Sequence, residues 1–279
     1  MRVIDLESVT QNVRDVLIKI NHELDDSLVS AFKRAKNKES NELSRSVLDD
    51  IIENQDLARS GNIPLCQDTG MVVVFAEIGQ NVTYDGSLDA AINKGVRSAY
   101  TEGYLRKSVV THPFERINSA DNTPAIIHHK IVEGDSLNLK IASKGAGSEN
   151  MSQVTMLKPS DGVEGVKKIV LDTIFNAGGK PCPPIIVGIG IGGNLEKSAL
   201  IAKEAVLRDL EDKHPDPAIQ SLEDELYEEI NKLGVGPMGI GGETTCLAVK
   251  INTFPMHIAS LPVAINIQCH SSRHEVISL

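Results

Sequence analysis

A mixed, α+β-like α/β fold is predicted, an N-terminal helical region followed by a mixed β-sheet flanked by helices. Three features of the chain predict it. Its first sixty residues place apolar side chains at helical spacing. Beyond them, short β-rich apolar runs alternate with amphipathic stretches. Finally, two β-like runs flank Glu133-Gly134-Asp135 and read as a hairpin, which a purely parallel sheet would not contain.

In order along the chain, "SVTQNVRDVLIKINHEL" repeats apolar positions at Val13, Leu17 and Ile20, a helical stripe. "ESNELSRSVLDDIIENQDLARSGN" does so at Leu43, Val47, Ile51 and Ile52, with Gly61-Asn62 as the stop. The loop "GNIPLCQDTG" leads into "MVVVFAEIG", a strand bounded by glycines, and "SLDAAINKGVRSAYTEGYLR" reads as a helix capped by Ser87. "AIIHHKIVEGDSLNLKIASKG" is the hairpin and "SQVTMLKP" a further strand. "SDGVEGVKKIVLDTIFNAGG" is a helix with a Ser160 cap and a Gly178-Gly179 stop. "PPIIVGIGIGG" reads as a buried strand running into the helix "NLEKSALIAKEAVLRDL". A charged helix follows from Pro217 to Leu233, then the strands "TTCLAVKI" and "SLPVAINIQC". No sequence repeat is visible. Residues 1–60 form the helical part and 61–279 the mixed α/β part of one continuous domain.

With 279 residues the chain can bury a substantial core. A formal net charge of −10, few aromatics and no Trp argue against nucleic acid or an anionic membrane as partner. A small anionic substrate stays open, because a local cation or metal can invert the field in one pocket. No run reaches the roughly 20 apolar residues of a membrane span, and the N-terminus lacks the pattern of a secretory signal. Four widely spaced cysteines make no disulfide framework, so a reducing, cytoplasmic setting is expected.

"GIGIGG", Gly188 to Gly193, formally fits the dinucleotide pattern G-x-G-x-x-G. The following helix leads into another helix rather than a second strand, so the βαβ unit does not close there. A glycine turn packing helix on sheet is the preferred reading, and an NAD-dependent oxidoreductase is the distant alternative. Cys246, inside "ETTCLAVKI", reads as a buried structural thiol. Cys66, Cys182 and Cys269 instead sit at element boundaries among Gly, Pro and small polar residues, where a thiolate can face a pocket. Pattern alone leaves a three-thiolate metal site and unrelated loop cysteines both open. Asp68 before Thr-Gly fits a turn closed by its own side chain. Arg106 and Lys107 fit a helix end, His257 a half-buried satisfied histidine, and His128-His129 opposite faces of a strand.

Taken together, "PLCQDTG", "LRKSVV", "KGAGSENMSQ", "NAGGKPCPP", "GIGIGGN", "GPMGIGG" with "TT" after Glu243, and "HIASLPVAINIQCHSSRH" cover essentially the whole chain. In this order they resemble the alpha subunit of the class I, iron–sulfur-dependent fumarate hydratase family, with its L(+)-tartrate dehydratase relatives. The resemblance implies a hydro-lyase that hydrates fumarate reversibly to (S)-malate, or alternatively acts on L(+)-tartrate. It implies a [4Fe–4S] cluster held by Cys66, Cys182 and Cys269, with one iron open to substrate as a Lewis acid. It implies substrate contacts from Gln67, Asp68, Arg106, Gly145 and His257, with Asp68 the acid/base group at the hydroxyl. His257 would come from a neighbouring copy. It further implies a beta subunit that supplies the swivelling C-terminal domain and the carbon-proton base, an alpha–alpha contact giving a heterotetramer, and a small dicarboxylate substrate.

Overall fold

The computed structural model describes every residue, Met1–Leu279, and is a mixed α/β protein. In chain order the elements begin with β1 (Arg2–Val3), α1 (Leu6–His22), α2 (Asp26–Lys38), α3 (Glu42–Gly61), β2 (Met71–Gly79) and β3 (Val82–Thr83). Then come α4 (Leu88–Glu102), β4 (Ile126–Val132), β5 (Leu137–Lys144), α5 (Ala146–Glu149), β6 (Gln153–Leu157) and α6 (Gly162–Ala177). The remainder is β7 (Ile185–Gly192), α7 (Leu195–Ala205), α8 (Pro217–Lys232), β8 (Cys246–Phe254), β9 (Leu261–Gln268) and β10 (His274–Ser278). They form two compact units. The first takes residues 1–25, 54–146 and 273–279, and the second residues 26–53 and 147–272. The first sixty residues are therefore shared between the two.

The first unit is built on a sheet of order β10-β5-β2-β4, with β2 and β4 parallel and the other pairs antiparallel. Alternation along β2 turns Val72, Val74, Ala76 and Ile78 into one core with Val9, Val13 and Leu17 of α1 and Ile92, Val96 and Ala99 of α4. The two helices meet at a glycine. A Cβ on Gly95 would lie 2.6 Å from the Thr10 carbonyl oxygen, and Thr10 Oγ1 donates across to the Ala91 carbonyl at 3.1 Å. Helix α4 starts at the Ser87 cap, as its sequence predicts, but ends at Gly103 instead of running to Arg106.

The second unit's sheet has the order β6-β9-β7-β8, again with one parallel pair, β7 and β8. On one face Val187, Ile189, Val249, Ile251, Val263 and Ile265 meet α6 and α8 through Val170, Ile174, Leu226 and Ile230. On the other face α7 lies directly on β7. A Cβ on Gly190 would sit 2.7 Å from the Ala202 nitrogen, and one on Gly188 2.6 Å from the Val206 nitrogen. The leading glycines of "GIGIGG" thus serve helix–sheet packing. The crossover does close onto a parallel strand, contrary to expectation, but through both α7 and α8.

The expected hairpin at Glu133-Gly134-Asp135 is not one. Strands β4 and β5 flank β2 on opposite sides, so their connection passes over the end of β2. Gly79 permits this, because a Cβ there would lie 2.7 Å from the Gly134 carbonyl oxygen. The crossing loop satisfies the end of the strand through Gly79 N–H to Ser136 at 2.9 Å and Gln80 N–H to Val132 at 2.8 Å. Gly192, at φ +99° near the end of β7, also admits no side chain, because a Cβ there would run into the backbone of Phe254, its ladder partner at the end of β8. Both sheets in fact follow one path: a helix, a cysteine-bearing turn, a strand, a helical crossover to a parallel neighbour, and a return to the opposite side. The repeat lies in topology and not in sequence. The cap of α6 also differs from expectation. A 3₁₀ turn over Pro159–Asp161 precedes the helix, so Asp161 and not Ser160 takes the capping place.

Gly190→Ala tests the packing role. It should destabilise the protein by about 1–3 kcal/mol through overpacking of α7 on β7, read as a lower urea midpoint. An unchanged midpoint would contradict direct contact of the two backbones.

Candidate active site

In the first unit the loop between α3 and β2 is held from both ends. Leu65 N–H donates to the Asn21 carbonyl at 2.8 Å, and its own carbonyl accepts from Asn54 Nδ2 at 3.0 Å. Cys66 follows, half-buried, with Sγ 3.2 Å from Gln67 Oε1, and Gln67 is exposed. Asp68 does close a turn, since Oδ1 accepts the Gly70 N–H at 3.0 Å. Its other oxygen reaches farther along the chain, where Oδ2 accepts the Ala146 N–H at 2.8 Å. A Cβ on Gly145 would be 3.2 Å from that oxygen, so the glycine leaves the carboxylate room.

Buried polar groups fasten the end of the loop. Tyr100 and Asn122 are both fully buried. The Tyr100 hydroxyl is shared between the carbonyls of Thr69 at 2.7 Å and Gly70 at 3.0 Å. Asn122 Nδ2 donates to the Gly70 carbonyl at 3.1 Å, while its Oδ1 accepts the N–H groups of Ser108 at 2.7 Å and Val109 at 3.2 Å. Thr69 Oγ1 donates to the Arg106 carbonyl at 2.9 Å. These bonds bring Cys66, Gln67, Asp68, Arg106 and Gly145 together within one unit. Arg106 lies beyond the end of α4 with an exposed side chain, so it does not answer that helix's dipole.

In the second unit Cys182 and Cys269 lie on adjoining backbone segments at one end of the sheet. Cys182 follows the Gly178 stop of α6 and adopts φ +57°, and its carbonyl accepts the His270 N–H at 3.2 Å. The glycine-rich turn 236–242 backs this segment. Met238 N–H donates to the Pro183 carbonyl at 2.8 Å, and a Cβ on Gly179 would lie 2.9 Å from the Met238 oxygen. Cys182 is exposed, Cys269 half-buried, and none of the four cysteines forms a disulfide. Cys246 is sealed in the core, its Sγ donating to the Ala248 carbonyl at 3.0 Å, and burial pushes its thiol up to about 12. His257 is exposed rather than half-buried, in the turn between β8 and β9, where Nδ1 accepts the Ala259 N–H at 3.1 Å. That turn is at the opposite end of the sheet from Cys182 and Cys269, roughly 25 Å away at the rise of a β-strand. His128 and His129 are divided as their spacing predicts, one stacked on Phe75 and the other 2.8 Å from Asp89.

Sequence reading missed Asn21, Tyr100 and Asn122, which position the loop without facing it. Tyr100 shares the apolar stripe of α4 with Ile92 and Val96, and only its hydroxyl hints at a partner.

The different burial of the thiols has a direct consequence. A thiol reagent at pH 8 should label three cysteines of the folded chain quickly and Cys246 only after denaturation, as counted by mass spectrometry. Fast fourth labelling would contradict the sealed core. A second outcome concerns pH. Burial raises the Tyr100 hydroxyl from 10.0 to about 12. The stability this supplies is complete below about pH 10 and is lost as pH rises towards 12. Tyr100→Phe should remove that part of the alkaline loss and cost about 1–3 kcal/mol at neutral pH through the lost hydrogen bond. Urea midpoints across pH 8–12 measure both.

Comparisons with known proteins identify the family. A family model described as fumarate hydratase (Fumerase) matches residues 10–278. The chain is 45% identical over 275 residues to a putative L(+)-tartrate dehydratase subunit alpha of Methanocaldococcus jannaschii, covering 95% of this chain and 96% of the relative. It is 29% identical over 272 residues to the L(+)-tartrate dehydratase subunit alpha of Escherichia coli K12, covering 96% and 89%. Nearly the whole chain being matched, the protein belongs to the fumarate hydratase (Fumerase) family of hydro-lyases.

Proposed function

We propose that the chain is the cluster-bearing alpha subunit of an iron–sulfur hydro-lyase that hydrates fumarate reversibly to (S)-malate together with a beta subunit. The observation that carries this reading is the fastening of Asp68, Arg106 and the Gly145-Ala146 segment beside Cys66 by the hydrogen bonds of Thr69 Oγ1 and the Ala146 N–H. The donor set fits a cluster. Three thiols outside any disulfide stand at loop boundaries with some access to solvent, whereas the fourth is sealed away. No three His, Cys, Asp or Glu side chains gather around one ion-sized point. A [4Fe–4S] cluster asks for a different arrangement, since each thiolate binds its own iron. Cys66, Cys182 and Cys269 would hold it, and its open iron would polarise the C–O bond of the hydroxy acid.

The chain's own groups supply the rest. Two backbone N–H groups fix the Asp68 carboxylate, which retains lone pairs to take or return the proton at the substrate hydroxyl. Arg106 offers an exposed guanidinium to a substrate carboxylate, and Gln67 an amide beside it. Gly145 lets the substrate approach the backbone. The carbon-proton base belongs to the beta subunit, a partner that the "subunit alpha" names of the relatives support. His257 stands far from the cysteine end of its own sheet, which favours action in a second copy's site and hence an alpha–alpha contact in a heterotetramer. No helix is long and apolar enough to cross a membrane. Exposed thiols suit a reducing cytoplasm. The relatives' names favour L(+)-tartrate dehydration as the second reading.

The test is anaerobic loading of the alpha–beta complex with iron and sulfide, followed by assays of fumarate, (S)-malate and L(+)-tartrate. Fumarate hydration is expected, and Arg106→Ala should raise its KM about tenfold or more, the worth of a charged hydrogen bond of ~1.5–3 kcal/mol. Turnover of tartrate alone would decide for the second reading. Absence of bound iron would sink both.

A further inference from the structure

Arg273 is among the largest fully buried side chains, 2% exposed. A guanidinium stays charged at any pH the fold tolerates, so burying one without a carboxylate partner is costly. Here Nη1 donates to Asn21 Oδ1 at 2.9 Å and Nε has no partner. No carboxylate is within ion-pair distance. The side chain is nevertheless firmly placed. Asn21 Nδ2 is itself committed to the Leu17 carbonyl at 2.8 Å and Ser143 Oγ at 3.0 Å, and the Arg273 carbonyl accepts the Ser143 N–H at 3.0 Å.

The charge is directed at Gly145. A Cβ there would lie 3.6 Å from Arg273 Nη2 and 3.2 Å from Asp68 Oδ2, so cation and carboxylate flank the same glycine. The Tyr100 hydroxyl, raised chiefly by burial, feels both charges with opposite sign, which puts them around one neighbourhood. Asp68 is otherwise held only by neutral backbone donors. From this geometry we infer that Arg273 is a positioning residue for Asp68, a buried cation that compensates its charge and holds Oδ2 towards Gly145. The inference rests on the hydro-lyase reading, in which Asp68 works on the substrate. It also explains why a charged side chain occupies a place that an apolar one of similar volume could fill.

The test uses the iron-loaded alpha–beta complex, with rates normalised to bound iron. Arg273→Ala should lower kcat by roughly 10–100-fold, as loss of a supporting partner does at metal sites, with KM nearly unchanged. Arg273→Lys should fall between. Guanidinium chloride should restore part of the alanine variant's kcat, whereas urea, of similar shape but uncharged, should not. Should the alanine variant fail to fold, Asn21→Asp decides, because it sets a carboxylate against Nη1 and should lower kcat in the same way. An unchanged kcat in a folded, iron-loaded variant would overturn the inference, as would equal rescue by urea, which marks simple cavity filling. A wild-type complex that binds iron yet turns over neither fumarate nor tartrate would overturn the functional reading and this inference together.

Discussion

The carbonyl of Gly70 is the point on which the candidate site depends. A buried carbonyl must find donors, and this one takes both Tyr100 and Asn122. Those two residues are committed elsewhere, Tyr100 to the packing of α4 and Asn122 to the N–H groups of Ser108 and Val109. A polar loop is thereby held as rigidly as the core beside it. Asp68 inherits its orientation from that anchoring, because the turn it closes ends at Gly70.

Both sheets use the same device to place a cysteine. A helix stops, a short turn presents the thiol, and the chain plunges into the central strand of a four-stranded sheet. Burial of that strand on both faces fixes where the turn can be, so Cys66 and Cys182 owe their places to strands that carry no chemistry. Glycine then solves the problem the path creates. In the first sheet the return connection crosses the end of β2, and Gly79 offers it no side chain to strike; in the second, Gly192 leaves room for the backbone of its neighbour β8.

Much of the architecture was legible in the chain. A helical apolar stripe located α1, cap and stop residues located α4 and α6, and continuous apolar runs located the strands β2, β7, β8 and β9, which are buried over most of their length. Failures came where local pattern and pairing part ways. The runs around Gly134 look like a hairpin, yet β4 and β5 each pair with a different edge of β2, a distant partner that local pattern does not reveal. Strand β10 went unseen because "HEVIS" is polar and half exposed, and only the edge of β5 makes it a strand. In α3 the predicted stripe began at Leu43, which is 62% exposed, while Leu48 is fully buried.

The sequence by itself determined which thiol is structural. An apolar strand context around Cys246 leaves no water or ligand for it, and no tertiary detail was needed to see that. It also determined the family, since long motifs in a fixed order survive where single residues carry no meaning. Only the tertiary structure decided which residues hold the site in place. Asn21, Tyr100, Asn122 and Arg273 are ordinary letters in the chain, widely separated and without spacing to link them. Their roles arise because burial withdraws water, and each buried polar group must then find its partner wherever the fold has brought one.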